Sequence, residues 1–304
     1  MDQNEIMKEL KSCIENIKLS KQDEKQKNQQ LFKDTYGLAE ADLSTAKDNF
    51  YLKKYIQVIQ YLTSIRNNFK TNKDFYTAVT SDFARAYIPT MIKEYQITNE
   101  KTVEKLNGIA SGKNIKIFEK GEAKEYASSF DREINGDVGA FKFMDMICFT
   151  PDSENREEVS PKDSILNAAK MLSSMIHETM HLVFDVTKEE YFNYGVESKL
   201  TSGGTILNEG LIEMNALDFS KKYDFPHLPA FYYLNNVKMA ILIKKLLGDE
   251  KFKQFVATGD YKNLIPKEVL DEYKKAERIR YFTRRGLSVD PSKINLENET
   301  KHLF

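Results

Sequence analysis

The sequence predicts an α+β fold, mostly helical, with a small sheet ahead of one sharply capped helix. Three features predict it. Apolar residues recur at helical spacing over much of the chain. Between residues 115 and 150 the pattern changes to short runs rich in aromatic and β-branched residues, the composition of strands. A long helix then opens at Ser160 with a full set of start signals.

The helices before the sheet come first. Ile6, Leu10, Ile14 and Ile17 lie at helical spacing. The stretch KQDEKQKNQQ after them holds no apolar residue and reads as a solvated helix face or a linker. A second helical run covers about 39–69, with Phe50, Tyr51, Ile56, Ile59, Leu62, Ile65 and Phe69 as its buried face. A third passes through Phe75, Val79, Phe83, Ala86 and Ile88 and is expected to stop at Pro89. These helices suit a small bundle or a hairpin arm, and they carry neither a repeat nor any recognisable chemistry.

The change of pattern near Gly108 places a boundary close to residue 110, giving a helical N-terminal region, 1–110, and a second domain, 111–304. NIKIFEKG reads as a short strand and a turn; GAFKF and DMICFTP are two further strands. A polar loop over 152–159 leads to the capped helix. There Ser160 is the N-cap, Pro161 takes the first helical position, and Asp163 stands where a capping-box acid would. Ile165, Ala169, Leu172, Ile176, Met180 and Phe184 form its apolar face. After the turn signal SGG, helices are expected over about 207–222, 230–247 and 266–280, with Pro226 and Pro229 breaking the chain between the first two. The last twenty residues are polar.

Composition narrows the function classes. Apolar residues make up 41% of the 304, enough for ordinary globular cores. Charged residues make up 30%, yet the net charge is only −1, so nothing points to nucleic acid or an anionic membrane as partner. Cys13 and Cys148 are the two cysteines, too few and too far apart for a disulfide framework, and are expected as free thiols. The start, MDQNEIMKELKSC, lacks the marks of a secretory signal, and the longest apolar stretch, Met239 to Ile243, is too short to span a bilayer. The expectation is a cytoplasmic protein as synthesised, with signal-independent export left open.

The chemistry lies in the capped helix, where His177-Glu178-Thr179-Met180-His181 forms the H-E-x-x-H pattern. Residues four apart on a helix are separated by about 6 Å along the axis and about 40° around it, so two imidazoles at that spacing can bind one ion from one face. Glu178 can then reach a water on the open side. Imidazole and carboxylate ligands with one open position suit zinc. The chain has only four histidines. By a rough product of residue frequencies the pattern arises by chance in well under one such chain in a hundred. The plainer alternative is an amphipathic helix with two satisfied histidines.

A catalytic zinc needs a third protein ligand, and no third histidine follows at short spacing. The next expected helix carries Asn208-Glu209-Gly210-Leu211-Ile212-Glu213. With these two motifs the sequence resembles the gluzincin families, the thermolysin-like and related zinc metallopeptidases, over roughly residues 110–250. The resemblance implies a zincin-like metallopeptidase domain with Glu209 as third zinc ligand. It implies that Glu213, one turn on, accepts a hydrogen bond from a zinc-bound histidine, and that 139–143 is an edge strand pairing with an extended peptide substrate. Ile206 and Leu207 stand where some of these families have an aromatic residue, and the gap from His181 to Glu209 is longer than in thermolysin-like enzymes. Should Glu209 not serve, Glu189, Glu190 and Glu197 are the next acids to consider.

The expected activity is hydrolysis of peptide or protein substrates, with Glu178 as general base. An oxyanion donor besides the metal is to be sought among Tyr191, Tyr194, His227, Tyr232 and Tyr233. A thiol mechanism using Cys148 and His177 would leave Glu178, His181 and Glu209 without a role. The main alternative function is a non-catalytic zincin scaffold whose N-terminal helices bind a protein partner, against which the intact Glu178 argues.

Overall fold

A computed structural model describes residues 2–16, 50–119, 122–129, 140–143, 145–150, 160–186, 206–227, 234–252 and 266–283. The described elements are α1 (Gln3–Asn16), α2 (Phe50–Ile65) with a closing 3-10 turn (Arg66–Asn68), α3 (Asn72–Glu94), α4 (Glu100–Ala110), β1 (Ile115–Ile117), α5 (Glu122–Ser128), β2 (Ala140–Phe143), β3 (Met146–Phe149), α6 (Pro161–Val186), α7 (Ile206–Tyr223), α8 (Leu234–Leu247) and α9 (Lys267–Thr283). The fold is thus mostly helical with a small sheet, the α+β class expected.

The contacts divide the chain into two compact units. One comprises residues 1–30, 187–214 and 230–304. In it α1 packs on α8 and α9 through Ile6, Leu10, Cys13 and Ile14, and Val269, Leu270, Tyr273 and Ala276 give α9 its buried face. Asn235 donates from Nδ2 to the Cys13 carbonyl at 2.8 Å, tying the start of α8 to α1. The first turns of α7 also belong here, and Gly210 is why they can approach α8. A Cβ on Gly210 would lie 2.3 Å from the Asn236 carbonyl oxygen, so only a bare Cα fits that approach.

The other unit comprises residues 31–186 and 215–229, and residue 110 falls inside it. At its centre is α6, packed by α2, α3, α4, β2 and β3. Its side chains from Met171 to Val183 are buried except Ser174, Glu178 and His181, which are half-buried, so α6 is enclosed on nearly every side rather than along a single stripe. Ser160 caps it as expected: Asp163 N–H donates to Ser160 Oγ at 3.1 Å, and the Ser160 hydroxyl donates to Asp163 Oδ2 at 2.8 Å. One turn in, Arg66 Nε donates to Ser164 Oγ at 2.8 Å and its Nη1 to the Phe69 carbonyl at 3.1 Å, fastening the start of α6 to the α2–α3 corner.

The sheet has the order β1-β3-β2. β1 runs parallel to β3, with Ile115 opposite Ile147, and β2 runs antiparallel, with Ala140 opposite Phe149. All three strands fall where the aromatic and β-branched runs place them, but α5 interrupts the stretch with a helix the sequence reading does not contain. A second correction concerns Pro89. α3 continues through it to Glu94. Pro89 and Arg85, whose carbonyl the ring leaves without a donor, are both exposed, while Tyr87, Ile88 and Met91 keep the buried face continuous on both sides. Ala86 lies on the exposed side, and Ala84 and Tyr87 take the buried positions. The expected runs over 17–49 and the loop at 152–159 lie outside the described residues. No described helix is long and apolar enough to cross a membrane.

Candidate metal centre

The central helix α6 presents both histidines to one point. Four residues advance a helix by slightly more than one turn, so the rings of His177 and His181 stack along one face. Their centroids are 5.0 Å apart with the planes at 74°, and the two Nε2 atoms converge to 3.2 Å. That distance suits a direct N–H···N hydrogen bond between the rings or two donors to one ion. His177 is buried, at 5% exposure, and His181 is half-buried.

Glu209, in the first turn of α7, joins them. One ligand atom from each of His177, His181 and Glu209 lies within 4.8 Å of the other two, and the group can hold a metal ion. The three residues proposed as ligands from sequence are therefore together. Glu213, one turn further on, is no solvated surface acid: it is 1% exposed and has interaction partners within the fold. A carboxylate so deeply buried costs several kcal/mol unless it is hydrogen-bonded or paired.

Glu178 projects from the half-buried side of α6. Its charge bears on the thiol of Cys148 on β3. Burial pushes the Cys148 thiol up to about 12, Lys116 pulls it down, and the Glu178 carboxylate adds to the rise. A thiol so disposed is protonated at neutral pH and is a poor nucleophile, which removes the footing of a Cys148–His177 mechanism. Cys13 and Cys148 are both free and buried.

Of the proposed oxyanion donors, Tyr191, Tyr194, Tyr232 and Tyr233 lie outside the described residues, as do Glu189, Glu190 and Glu197. His227 is described and 2% exposed, with Nδ1 2.6 Å from the Ser173 carbonyl, one turn before His177. A carbonyl only accepts, so Nδ1 carries the proton.

The sequence reading passed over Thr179, inside the motif itself. It is fully buried on the side of α6 away from the histidines, and its hydroxyl bonds Tyr87 of α3 at 2.6 Å. A hydroxyl between Ile176, Met180 and Val183 was the available signal, since a buried polar atom requires a partner. Comparison with known proteins adds nothing to this geometry: no family model, no curated protein and no solved structure matches the chain.

Proposed function

We propose that the protein is a zinc-dependent peptide hydrolase of gluzincin type, with zinc held by His177, His181 and Glu209 and a proton carried by Glu178. The observation that carries the proposal is the convergence of two imidazole nitrogens and a carboxylate within 4.8 Å. Two ligands at about 2.0–2.1 Å from a tetrahedral zinc stand about 3.3 Å apart. The Nε2 atoms already lie 3.2 Å apart. Two nitrogens and one oxygen are also a donor set that suits zinc over harder ions such as magnesium or calcium.

When bound, zinc supplies a low-pKa water and a positive charge beside the substrate carbonyl. Glu178 follows His177 on α6 and is half-buried, so it would take the proton of the attacking water and return it to the leaving amine. His177 and His181 serve as ligands through Nε2. Glu213, buried one turn after Glu209, would fix the tautomer of a ligand histidine by accepting from its other ring nitrogen. A peptide substrate is favoured by β2, which among the described residues has one strand neighbour, β3, and lies against α6. Such an edge can take an extended chain as a further strand.

The test is a proteome-wide cleavage profile of wild-type protein against Glu178→Gln. New peptide termini are expected with wild type, lost on chelation, restored by zinc, and absent from the variant. Termini that persist in the variant, or none with zinc-loaded wild type, would refute the proposal.

A further inference from the structure

The face of α6 turned away from the histidines carries a buried polar pin. Tyr87 and Thr179 are both fully buried. Tyr87 Oη and Thr179 Oγ1 are 2.6 Å apart, and Thr179 Oγ1 is 2.7 Å from the Met175 carbonyl of its own helix. The direction of each bond follows. The Met175 carbonyl can only accept, so the Thr179 proton goes to it, and Tyr87 donates to the Thr179 lone pair. The longer contact from Tyr87 Oη to the same carbonyl, 3.4 Å, is the weaker of the two.

We propose that Tyr87 is a positioning residue of the metal centre: its hydrogen bond to Thr179 sets the rotation of α6 about its axis and so the placement of the His177 and His181 nitrogens. The inference rests on the metal centre proposed above. The reason lies in what surrounds the pin. Met175, Ile176, Met180, Leu182 and Val183 are apolar, and apolar contacts tolerate small rotations because they have no preferred direction. A hydrogen bond at 2.6 Å has one. Thr179 is two residues from each histidine, about 200° round the helix, so it stands opposite the ligands and turns with them. An imidazole nitrogen lies about 6–7 Å from the helix axis, and a 10° rotation moves it by about 1 Å. Metal–ligand distances tolerate only about 0.2 Å. Even a rotation of about 2–3°, roughly 0.3 Å at that radius, exceeds this tolerance, so a directional bond that fixes α6 matters to the site beyond what close packing secures.

The experiment is a Co²⁺ titration followed by d–d absorption, with thermal unfolding alongside, on full-length wild type, Tyr87→Phe, Thr179→Val, the double variant and Thr179→Ser. Both single variants are expected to bind Co²⁺ about 10–100-fold more weakly with an altered spectrum, the scale typical of groups supporting a ligand. The double variant should be no worse than either single one, because both remove the same bond. Thr179→Ser keeps the hydroxyl and should restore affinity and spectrum. If Tyr87→Phe and Thr179→Val lower only the melting temperature and leave affinity and spectrum as in wild type, the pin is structural alone and the inference fails. If wild type binds no Co²⁺, the metal centre fails first, and the positioning role with it. Should Tyr87→Phe not fold, Thr179→Val decides, since it deletes the same bond and leaves Tyr87 the Met175 carbonyl as acceptor.

Discussion

Replacing Gly210 by alanine tests whether the close approach of α7 to α8 holds Glu209 in place. The added Cβ would lie 2.3 Å from the Asn236 carbonyl oxygen and 2.5 Å from its carbon, both backbone atoms that no rotamer change can clear. Ordinary contact begins at 3.4 Å, so one helix must retreat by 3.4 − 2.3, about 1.1 Å. α8 is backed by α1 and tied to it through Asn235, so the first turn of α7 is the part that yields. Overpacking of this kind costs about 1–3 kcal/mol. A clash with backbone falls at the upper end of that range, and alanine recovers about 0.8–1 kcal/mol of helix propensity, so the net expectation is a loss of about 2 kcal/mol. Glu209 is the preceding residue and moves with the turn, so Co²⁺ or Zn²⁺ affinity should fall about 10–100-fold. The assay is urea unfolding with a parallel metal titration. Gly248→Ala is the control: its φ is +74° with nothing within 4 Å of the added Cβ, so it should cost about 1 kcal/mol through backbone strain and leave metal affinity alone. Unchanged or raised stability in Gly210→Ala would refute the reasoning, because it would mean that the two helices do not meet there.

Protein purified without chelators should carry one zinc per chain, and His177→Ala should lose most of it; full occupancy in that variant, read by metal analysis, would remove the centre. Glu178→Gln should retain zinc and lose roughly 10²–10⁴-fold in peptide hydrolysis, the range of general-base catalysis; loss of zinc would mean that Glu178 is a ligand. Glu209→Ala should abolish tight metal binding, while Glu213→Ala should weaken it by about 10–100-fold; the reverse order in parallel zinc titrations would exchange their roles. Burial holds the Cys148 thiol up at about 12 against an ordinary 9.0. The folded state therefore keeps a proton that the unfolded chain gives up, and stability falls as pH rises through that window. Cys148→Ala should flatten the part of the alkaline loss that begins near pH 9 in unfolding curves, and an unchanged pH profile would count against the buried thiol.

Much of the architecture was legible because it depends on local order. Helical spacing marked the helices that bury one face, such as α1, whose Ile6, Leu10 and Ile14 are all in its core. The Ser160 cap and the three strands are likewise products of neighbouring residues, and each stands where the sequence places it. Pro89 was misread because a helix rule about a missing donor ignores which side of the helix faces water. α5 was missed because seven residues leave little periodicity to read.

By itself the sequence determined that His177 and His181 share one face of one helix, because four residues and 3.6 per turn leave no other arrangement. It also set the chemistry of the donors and the place of Glu178 between them. Tertiary structure decided the rest. A ligand atom of Glu209 comes within 4.8 Å of those of the two histidines; Glu213 lies in the interior and not in solvent; His227 spends its proton on the Ser173 carbonyl; and Thr179 finds Tyr87 from 92 residues away. None of these is carried by local spacing. Each follows from which surfaces exclude water together, and buried polar groups then take whichever partners that packing brings within reach.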